Sequence, residues 1–309
     1  DQDGTWQPVS GSDGHYRFCA NADHDVCNWL VPADGPQERC VACRLNKTIP
    51  DLSIPENQIH WQKLEASKHR LIYSLLRFGL AFESTVGPNK ERLTFDFRAD
   101  TNPEAPVLTG HADGLITINI SEADDVEREA RRSAMGEPYR TLLGHFRHEV
   151  GHFYWNLLVR DAGIIERCRA LFGDESRDYM EALETHYRNG PTADWRARYV
   201  SAYASSHPWE DFAETWAHYL HIVDTLETAA VFGLQERTDA GRRDGSGGFD
   251  PYADEPFERI IEAWLPLTFA VNSLNRSMGQ PALYPFVLAP PAIEKLAFVH
   301  RLVHGHENR

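Results

Sequence analysis

Residues 142–155 read LLGHFRHEVGHFYW, and this stretch decides how the rest of the sequence is interpreted. Its apolar residues recur at helical spacing, which predicts a helix within a longer helical pattern over residues 137–160. On that helix His148 and His152 share one face, so both imidazoles can bind the same metal ion. Glu149 then lies beside the open coordination position, where a water molecule binds. The HExxH pattern therefore predicts a catalytic zinc site with Glu149 as its general base.

The third ligand decides the class of this zinc site. A metzincin requires a glycine and a further histidine at positions that hold Trp155 and Leu158 here, so that class is excluded. A gluzincin instead takes a glutamate from a second helix, and the segment HPWEDFAETWAHYLH (207–221) offers two. We expect Glu210 to bind the zinc ion. Glu214 follows one helical turn later and is expected to accept the N–H of a ligating imidazole.

Two alternatives stay open for the segment 207–221. His218 and His221 lie on the same predicted helix and could serve as ligands in place of Glu210. The two glutamates could also be ordinary solvated acids on a helix surface, without any role in metal binding. Only the arrangement of the side chains in space separates these alternatives.

A second metal site is predicted near the start of the chain, where four of the five cysteines follow the spacing C-x7-C-x12-C-x2-C. The CxxC pair offers two thiolates on one tight turn, and a tetrahedral zinc ion needs a second pair. The alternative is two disulfides in a secreted protein. The only later cysteine is Cys168 and there is no signal sequence, so we expect a reducing compartment, the cytoplasm. The predicted ligands of a structural zinc ion are Cys19, Cys27, Cys40 and Cys43.

The charge of the sequence argues against several classes of partner. Asp and Glu number 46 against 31 Lys and Arg, a formal net charge of -15. This charge repels phosphate backbones, and residues 1–50 are themselves acidic, so nucleic acid is not an expected partner. A docking or capping role with a protein partner fits the cysteine module better. No apolar run approaches about 18 residues, so no membrane span is expected.

The remaining patterns predict a helix-rich α+β fold with one small sheet. Residues 1–50 are expected to form the zinc-ribbon-like module and residues 51–309 the main domain, with a linker over 44–58. Residues 235–254, rich in Gly, Asp and Arg, are expected to form a mobile surface loop. Strands are predicted at 93–99 and 114–121, and further helices at 60–82, 176–189, 209–232, 256–278 and 291–304.

One spacing in the sequence resembles a known metal-binding helix. Tyr203 precedes Glu210 by seven residues, and Phe212-Ala213 follows, as in the C-terminal helix of the lethal-factor-like gluzincins. In that group the glutamate binds zinc, and the tyrosine reaches the metal-bound water and the oxyanion. The resemblance implies this role for Tyr203, with Tyr199, one helical turn away, as the fallback.

The whole chain also resembles a bacterial family of zinc-binding metallopeptidases with an N-terminal zinc ribbon. The resemblance is carried by FCANADHDVCNWLVPA, CRLNKTIPDLS, HEVGHFYW and WEDFAETW, which together extend over essentially the entire sequence. Members of that family usually carry a further cysteine-rich ribbon upstream, which this sequence lacks. The resemblance supports the fold and the site better than it supports any particular substrate.

The resemblance implies a zincin-like, gluzincin-type metallopeptidase with one catalytic and one structural zinc ion. A water molecule attacks the amide carbonyl of a peptide or protein substrate while Glu149 accepts its proton. The strand at 114–121 is expected either to bind the extended substrate at a sheet edge or to be a plain core strand. Two other functions remain open: an isopeptidase or amidase that removes a modification, and a zinc-stabilised scaffold that acts through the ribbon.

Overall fold

The structure is a computed structural model, and it confirms the helix-rich α+β fold. The chain divides into two compact units, which we call unit 1 (Asp1–Tyr73 with Asn89–Phe146) and unit 2 (Ser74–Pro88 with Arg147–Arg309). Most of the predicted surface loop, residues 235–248, lies outside the described residues. The described residues are 4–9, 14–84, 90–100, 107–134, 137, 139–234 and 249–307.

Unit 1 contains a small antiparallel hairpin near the start of the chain. It is formed by β1 (Tyr16–Phe18) and β2 (Leu30–Pro32). Short 3-10 turns at Ala20–His24 and Cys43–Leu45 shape the segments around it. The connection between the strands and the turns that follow carry the four clustered cysteines, Cys19, Cys27, Cys40 and Cys43.

The second sheet of unit 1 has four strands in the order β3-β4-β6-β5. The strand β4 is parallel to β3 and to β6, and β5 is antiparallel to β6. Phe95 and Phe97 on β4 are buried against Phe146, which gives the sheet its aromatic core. The strands are β3 (Asn46–Thr48), β4 (Thr94–Arg98), β5 (Gly110–Ala112) and β6 (Leu115–Asn119).

One expectation about this region is wrong, and one open alternative is decided. The segment 44–58, predicted as a linker, contains β3, because a three-residue strand is too short to show an alternating pattern and is fixed by its pairing with the distant β4. The strand predicted at 114–121 is present as β6, and of its two expected roles the plain core strand is confirmed, since β6 is flanked by β4 and β5. The short β5 occupies the edge beside it, so an incoming peptide cannot pair with β6 while β5 is in place.

The helices agree with the predicted ones to within a few residues at most ends. α3 begins at Leu142 rather than at 137, because the Thr141 hydroxyl accepts the backbone N–H of Gly144 and caps the first turn. A π-helical turn, Asn156–Arg160, extends α3. The charged helix α2 was not predicted, since Val126 is its only large apolar residue. The helices are α1 (Pro55–Arg77), α2 (Asp125–Ala134), α3 (Leu142–Trp155), α4 (Ile165–Phe172), α5 (Tyr179–Asn189), α6 (Trp195–Arg198), α7 (Pro208–Val231), α8 (Phe257–Ser277) and α9 (Pro290–Val303).

The core of unit 2 is built around α7, which is buried along most of its length. Trp216 on this helix stacks on Tyr154 with ring centroids 4.8 Å apart, and Phe212 packs against Phe172. The Nζ of Lys295 on α9 lies 2.6 Å from the buried Asp211 carboxylate, so an ion pair also fixes α7. A helix that is covered on nearly all sides is a rigid support for the side chains it presents. No helix of the described residues is long and apolar enough to cross a membrane.

Candidate metal sites

The first turn of α7 is positioned by its cap. His207 precedes the helix in an extended conformation, and its Nδ1 accepts the backbone N–H of Trp209 at 3.1 Å. Pro208 at the first helical position has no N–H that would need a partner. Glu210 therefore lies in the first turn, where the partial positive charge of the helix N-terminus stabilises a carboxylate.

Two imidazoles of α3 meet the carboxylate of Glu210. Its Oε2 lies 2.9 Å from Nε2 of His148, and its Oε1 lies 3.6 Å from Nε2 of His152. The three side chains offer ligand atoms that all lie within 4.8 Å of one another. Glu210 is 1% exposed, so its carboxylate is shielded from bulk water, whereas the His148 side chain is 12% exposed. The arrangement brings together the three residues predicted as ligands of the catalytic zinc ion.

The other nitrogen of His148 is held by a second carboxylate. Nδ1 donates to Oε1 of Glu214 at 2.8 Å, so Nε2 is the nitrogen that faces Glu210. The Ser201 hydroxyl donates to Oε2 of Glu214 at 2.5 Å and keeps this carboxylate in place. Glu214 thus makes the contact that was predicted for it, and this contact fixes the orientation of the imidazole.

Two tyrosines lie around the same carboxylate. The Tyr179 hydroxyl, from the first turn of α5, donates to Oε1 of Glu210 at 2.8 Å. Tyr203 lies in a short 3-10 turn, Tyr203–Ser205, and its ring centroid is 5.9 Å from that of His148. Burial, together with the negative charge of Glu210, raises the pKa of both phenols above the ordinary value. Both hydroxyls therefore keep their protons and can donate hydrogen bonds.

The electrostatics of the site follow from two carboxylates facing two imidazoles. Burial alone lowers the pKa of His148, but the hydrogen bonds to Glu210 and Glu214 outweigh it and hold the pKa well above the usual value. Burial alone raises the pKa of Glu210, but the nearby His152 and His148 outweigh it and hold the pKa well below the usual value. These residues thus form a site that favours positive charge at its centre.

The four cysteines of unit 1 form a separate cluster. Their sulfur atoms lie within 4.8 Å of one another, and the described cysteines form no disulfide. Sγ of Cys27 and Sγ of Cys40 are 3.7 Å apart. Backbone N–H groups point at the sulfurs, with Cys40 donating to Cys19 at 3.3 Å and Cys43 donating to Cys40 at 3.5 Å. Such bonds stabilise thiolates, as a zinc site requires.

Comparison with protein families agrees with this geometry. A family described as "Putative zinc-binding metallo-peptidase" matches residues 57–302, which is well over half of the chain. A zinc-ribbon domain family matches residues 1–54. The chain belongs to this metallopeptidase family.

Three relatives of this metallopeptidase are each 42% identical to it over 298 residues, which cover 96% of this chain and 84% of the relative. One is from Mycobacterium bovis and two are from strains of Mycobacterium tuberculosis, and each is named only as an uncharacterized protein. No solved structure matches the chain. The relatives therefore share the ribbon and the peptidase segment with this metallopeptidase without indicating a substrate.

The donor set on α3 and α7 suits zinc. Two imidazole nitrogens and one carboxylate oxygen are the protein ligands that catalytic zinc sites use, and they leave a fourth position open. One of the imidazoles already has the outer carboxylate that fixes its tautomer, Glu214 on His148. In the metallopeptidase, a divalent cation among these three ligand atoms would also compensate the buried charge of Glu210.

The alternative ligands and the fallback tyrosine lie elsewhere. Nδ1 of His218 is 2.6 Å from the Tyr284 hydroxyl, and Nδ1 of His221 is 2.5 Å from the guanidinium of Arg147. Neither histidine belongs to the group of converging ligand atoms among the described residues. Tyr199 follows the end of α6, and its ring lies under the Lys295 ammonium at 4.3 Å. The expected helical turn between Tyr199 and Tyr203 is wrong, because this segment is not a continuous helix.

Tyr179 is the site residue that sequence reasoning missed. It comes from α5, 31 positions before Glu210, and no spacing in the sequence links the two. The only available signal was the helix N-cap at Asp178, whose side chain accepts the N–H of Glu181 and fixes where α5 begins. Glu149 lies where the HExxH pattern expects it, on α3 and partly exposed. Its charge also contributes to the raised pKa of both Tyr179 and Tyr203, so the three groups share one environment.

Proposed function

We propose that this chain is a zinc-dependent peptidase that hydrolyses amide bonds in peptides or proteins. The observation that carries the proposal is the convergence of the His148 and His152 Nε2 atoms on the Glu210 carboxylate. Glu149 lies next to the first of these ligands in the chain and is accessible to solvent. A purely structural metal site has no need of a general base or of an open coordination position.

The proposed chemistry divides between the metal and the protein. His148, His152 and Glu210 would hold a zinc ion, which would polarise the substrate carbonyl and lower the pKa of a water molecule beside it. Glu149 accepts the proton of the attacking water molecule and later delivers it to the leaving nitrogen. Glu214 keeps Nδ1 of His148 protonated, so that Nε2 presents its lone pair to the metal ion.

We assign the two tyrosines different roles in this mechanism. The Tyr203 hydroxyl is the proposed donor to the developing oxyanion, a position that the resemblance to lethal-factor-like gluzincins first suggested. Tyr179 is a positioning residue, because its hydroxyl donates to Glu210 Oε1 at 2.8 Å and holds the third ligand. A protonated phenol suits both roles, since only the neutral form donates a hydrogen bond.

We also propose a structural role for the ribbon and a cellular location for the protein. We infer two zinc ions for each chain, a catalytic one in unit 2 and a structural one held by the four clustered cysteines. Cysteines bind zinc only when reduced, which supports the cytoplasm as the location. The acidic ribbon remains a candidate docking surface for a protein partner, and nucleic acid is not an expected ligand.

Zinc content and peptide cleavage test this function together. We expect elemental analysis to give two zinc ions in the wild type and one in His148→Ala. Glu149→Gln should keep both ions but cleave a peptide library about 100-fold to 10,000-fold more slowly. Glu166→Gln is the matched control, since that side chain is 84% exposed on α4. Equal zinc in wild type and His148→Ala, or full cleavage by Glu149→Gln, would contradict the proposal.

A further inference from the structure

A histidine from outside the ribbon reaches the ribbon cysteines. Nε2 of His69, on α1, lies 3.2 Å from Sγ of Cys27 and 3.8 Å from the sulfurs of both Cys40 and Cys43. The imidazole is 8% exposed. The cysteines lie in the segment that matches the zinc-ribbon family, whereas His69 lies in the segment that matches the peptidase family. The four cysteines and His69 all lie in unit 1.

The spacing of the sulfurs fits a tetrahedral zinc ion. With zinc–sulfur bonds of about 2.3 Å, two sulfurs of one ion are about 3.8 Å apart. The observed distance between the sulfurs of Cys27 and Cys40 is 3.7 Å. Cys19 and Cys43 complete a set of four, so the cysteines alone can fill every coordination position. His69 then lies against the face of the cluster made by Cys27, Cys40 and Cys43.

The other side of the His69 ring is anchored on its own helix. Nδ1 donates to the backbone carbonyl of Glu65 at 2.7 Å and lies 3.3 Å from the carboxylate of the same residue. The ring also meets Trp29 edge-on, with centroids 5.0 Å apart. Nδ1 faces oxygen atoms of Glu65, and Nε2 faces the sulfurs of Cys27, Cys40 and Cys43. The imidazole is therefore a rigid hydrogen-bonded link between the cysteines and α1.

Glu65, which holds His69, is itself fixed by a buried network. Its carboxylate is 2.8 Å from the Lys68 ammonium and accepts the Trp61 indole N–H at 3.0 Å. Asn46 on β3 donates to the same carboxylate at 2.5 Å. Glu65 and Lys68 are fully buried, so neither charge has water to compensate it. A zinc ion with four thiolates carries a net charge of about -2, which an N–H donor beside the sulfurs offsets in part.

We propose that His69 is the outer partner of the ribbon zinc ion, donating its Nε2–H to the Cys27 thiolate. The metal centre of the ribbon is then completed by α1 of the peptidase segment. Retention of the metal and anchoring of α1 become one coupled interaction, and the ribbon is not an independent module. This inference does not depend on peptidase activity, since it concerns a site without the HExxH residues.

Cobalt substitution tests the proposal without measuring activity. Thiolate-to-cobalt absorption in the near ultraviolet reports only on the ribbon, because the ligand set on α3 and α7 contains no cysteine. We would load the full chain with Co²⁺ and compare wild type, His69→Phe and His69→Gln. The visible bands distinguish four thiolates from three thiolates and a nitrogen. A competing chelator then gives the relative affinity of each protein for the metal.

The expected result is a four-thiolate spectrum in all three proteins. His69→Phe, which keeps the ring shape without the N–H, should hold the metal about 10-fold to 100-fold more weakly. His69→Gln should recover part of that loss through its amide N–H. His24→Phe, an exposed histidine of the same module, is the matched control and should behave as wild type. Circular dichroism confirms that each variant is folded.

Two outcomes would overturn the proposal. If His69→Phe holds the metal as tightly as wild type, the imidazole has no role at the metal centre. If the wild type shows three thiolates and a nitrogen, and His69→Phe loses the nitrogen signature, His69 is a direct ligand and Cys19 is not. In that second case Cys19→Ser should leave the spectrum unchanged.

Discussion

Gly151 of the HExxH segment lies directly against Ala213 of α7. A Cβ built at Gly151 would come 3.0 Å from Cα of Ala213 and 3.2 Å from Cβ of Trp216. The two helices therefore approach too closely at this point for a larger residue to fit easily, and this approach brings the imidazoles of α3 within reach of Glu210. The glycine inside HEVGH and the alanine inside FAETW are thus two sides of one packing contact.

We expect Gly151→Ala to lower stability and to weaken zinc binding at the α3 site. Alanine gains about 1 kcal/mol of helix propensity, but overpacking against a rigid backbone costs about 1 to 3 kcal/mol, so we expect a net loss of up to about 2 kcal/mol. Thermal unfolding and zinc content measure the two effects. Gly110→Ala, where an added Cβ meets nothing within 4 Å, is the matched control. Wild-type zinc affinity in Gly151→Ala would show that the close approach does not position the ligands.

Glu214→Gln should weaken zinc binding about 10-fold to 100-fold, because an amide orients His148 less firmly than a carboxylate does. Ser201→Ala should have a smaller effect in the same direction, since its hydroxyl acts on the metal only through Glu214. A competition titration with a zinc chelator measures both variants. Glu258→Gln, at an exposed position on α8, serves as the control. The reverse order of effects for Glu214 and Ser201 would argue against this chain of contacts.

Tyr179→Phe and Tyr203→Phe should affect different quantities. Loss of the Tyr179 hydroxyl removes the hydrogen bond to Glu210 and should reduce zinc affinity. Loss of the Tyr203 hydroxyl should leave zinc affinity nearly intact and lower kcat about 100-fold or more, as removal of an oxyanion donor does. Zinc titration together with steady-state kinetics separates the two roles. Identical profiles for both variants would show that the tyrosines act together.

Replacing one partner of the buried pair Arg147–Asp224 should destabilise the fold more than replacing both partners. The guanidinium lies 2.6 Å from the Asp224 carboxylate, and Arg147 is 1% exposed. Arg147→Met leaves a buried carboxylate without its cation and should cost about 3 to 5 kcal/mol in the free energy of unfolding. Combining it with Asp224→Leu should recover much of that loss. Urea unfolding tests this, and additive losses in the double variant would contradict it.

Glu122 predicts a specific dependence of stability on pH. Burial alone would raise its pKa, but the contacts with His145, Arg140 and Arg131 outweigh burial and lower the pKa from 4.5 to about 2. A carboxyl whose pKa is lower in the folded state stabilises the fold above pH 4.5. That contribution disappears as the pH falls from 4.5 towards 2. The expected contribution at neutral pH is about 3 kcal/mol.

Glu122→Gln should therefore lose about 3 kcal/mol at pH 7, and the difference from wild type should shrink as the pH approaches 2. Glu129→Gln is the control, because that carboxylate pairs with Arg132 at the surface with 63% of its side chain exposed. Urea unfolding at a series of pH values measures both. A difference that stays constant with pH would mean that the charge of Glu122 is not what stabilises unit 1.

The sequence alone predicted those parts of the site that depend on local spacing. His148 and His152 are four positions apart on one helix, and Glu210 and Glu214 repeat that interval on another, so periodicity alone orients each pair. Tyr179 has no such relation to Glu210, because only the folding of α5 onto α7 brings the two side chains together. Contacts between elements that are distant in sequence leave no periodic trace.

The same limit explains the errors in the fold. β3 has three residues and becomes a strand only through its partner β4, which lies more than 40 positions later. Tyr203 was expected one helical turn after Tyr199, yet the chain turns between them. No spacing in the sequence links His69 to the four cysteines. Its place beside the ribbon sulfurs depends on the position of α1. In each case a long-range contact overrides the local pattern.

The ion pair between Lys295 and Asp211 has a consequence for the order of events during synthesis. Asp211 is adjacent in the chain to the third ligand, and its buried carboxylate depends on an ammonium that is supplied 84 positions later. A nascent chain that has emerged only as far as α7 holds an acid in this core without its counter-charge. We therefore expect α7 to lack one of its anchors until α9 has been translated, so the proposed zinc site should mature late.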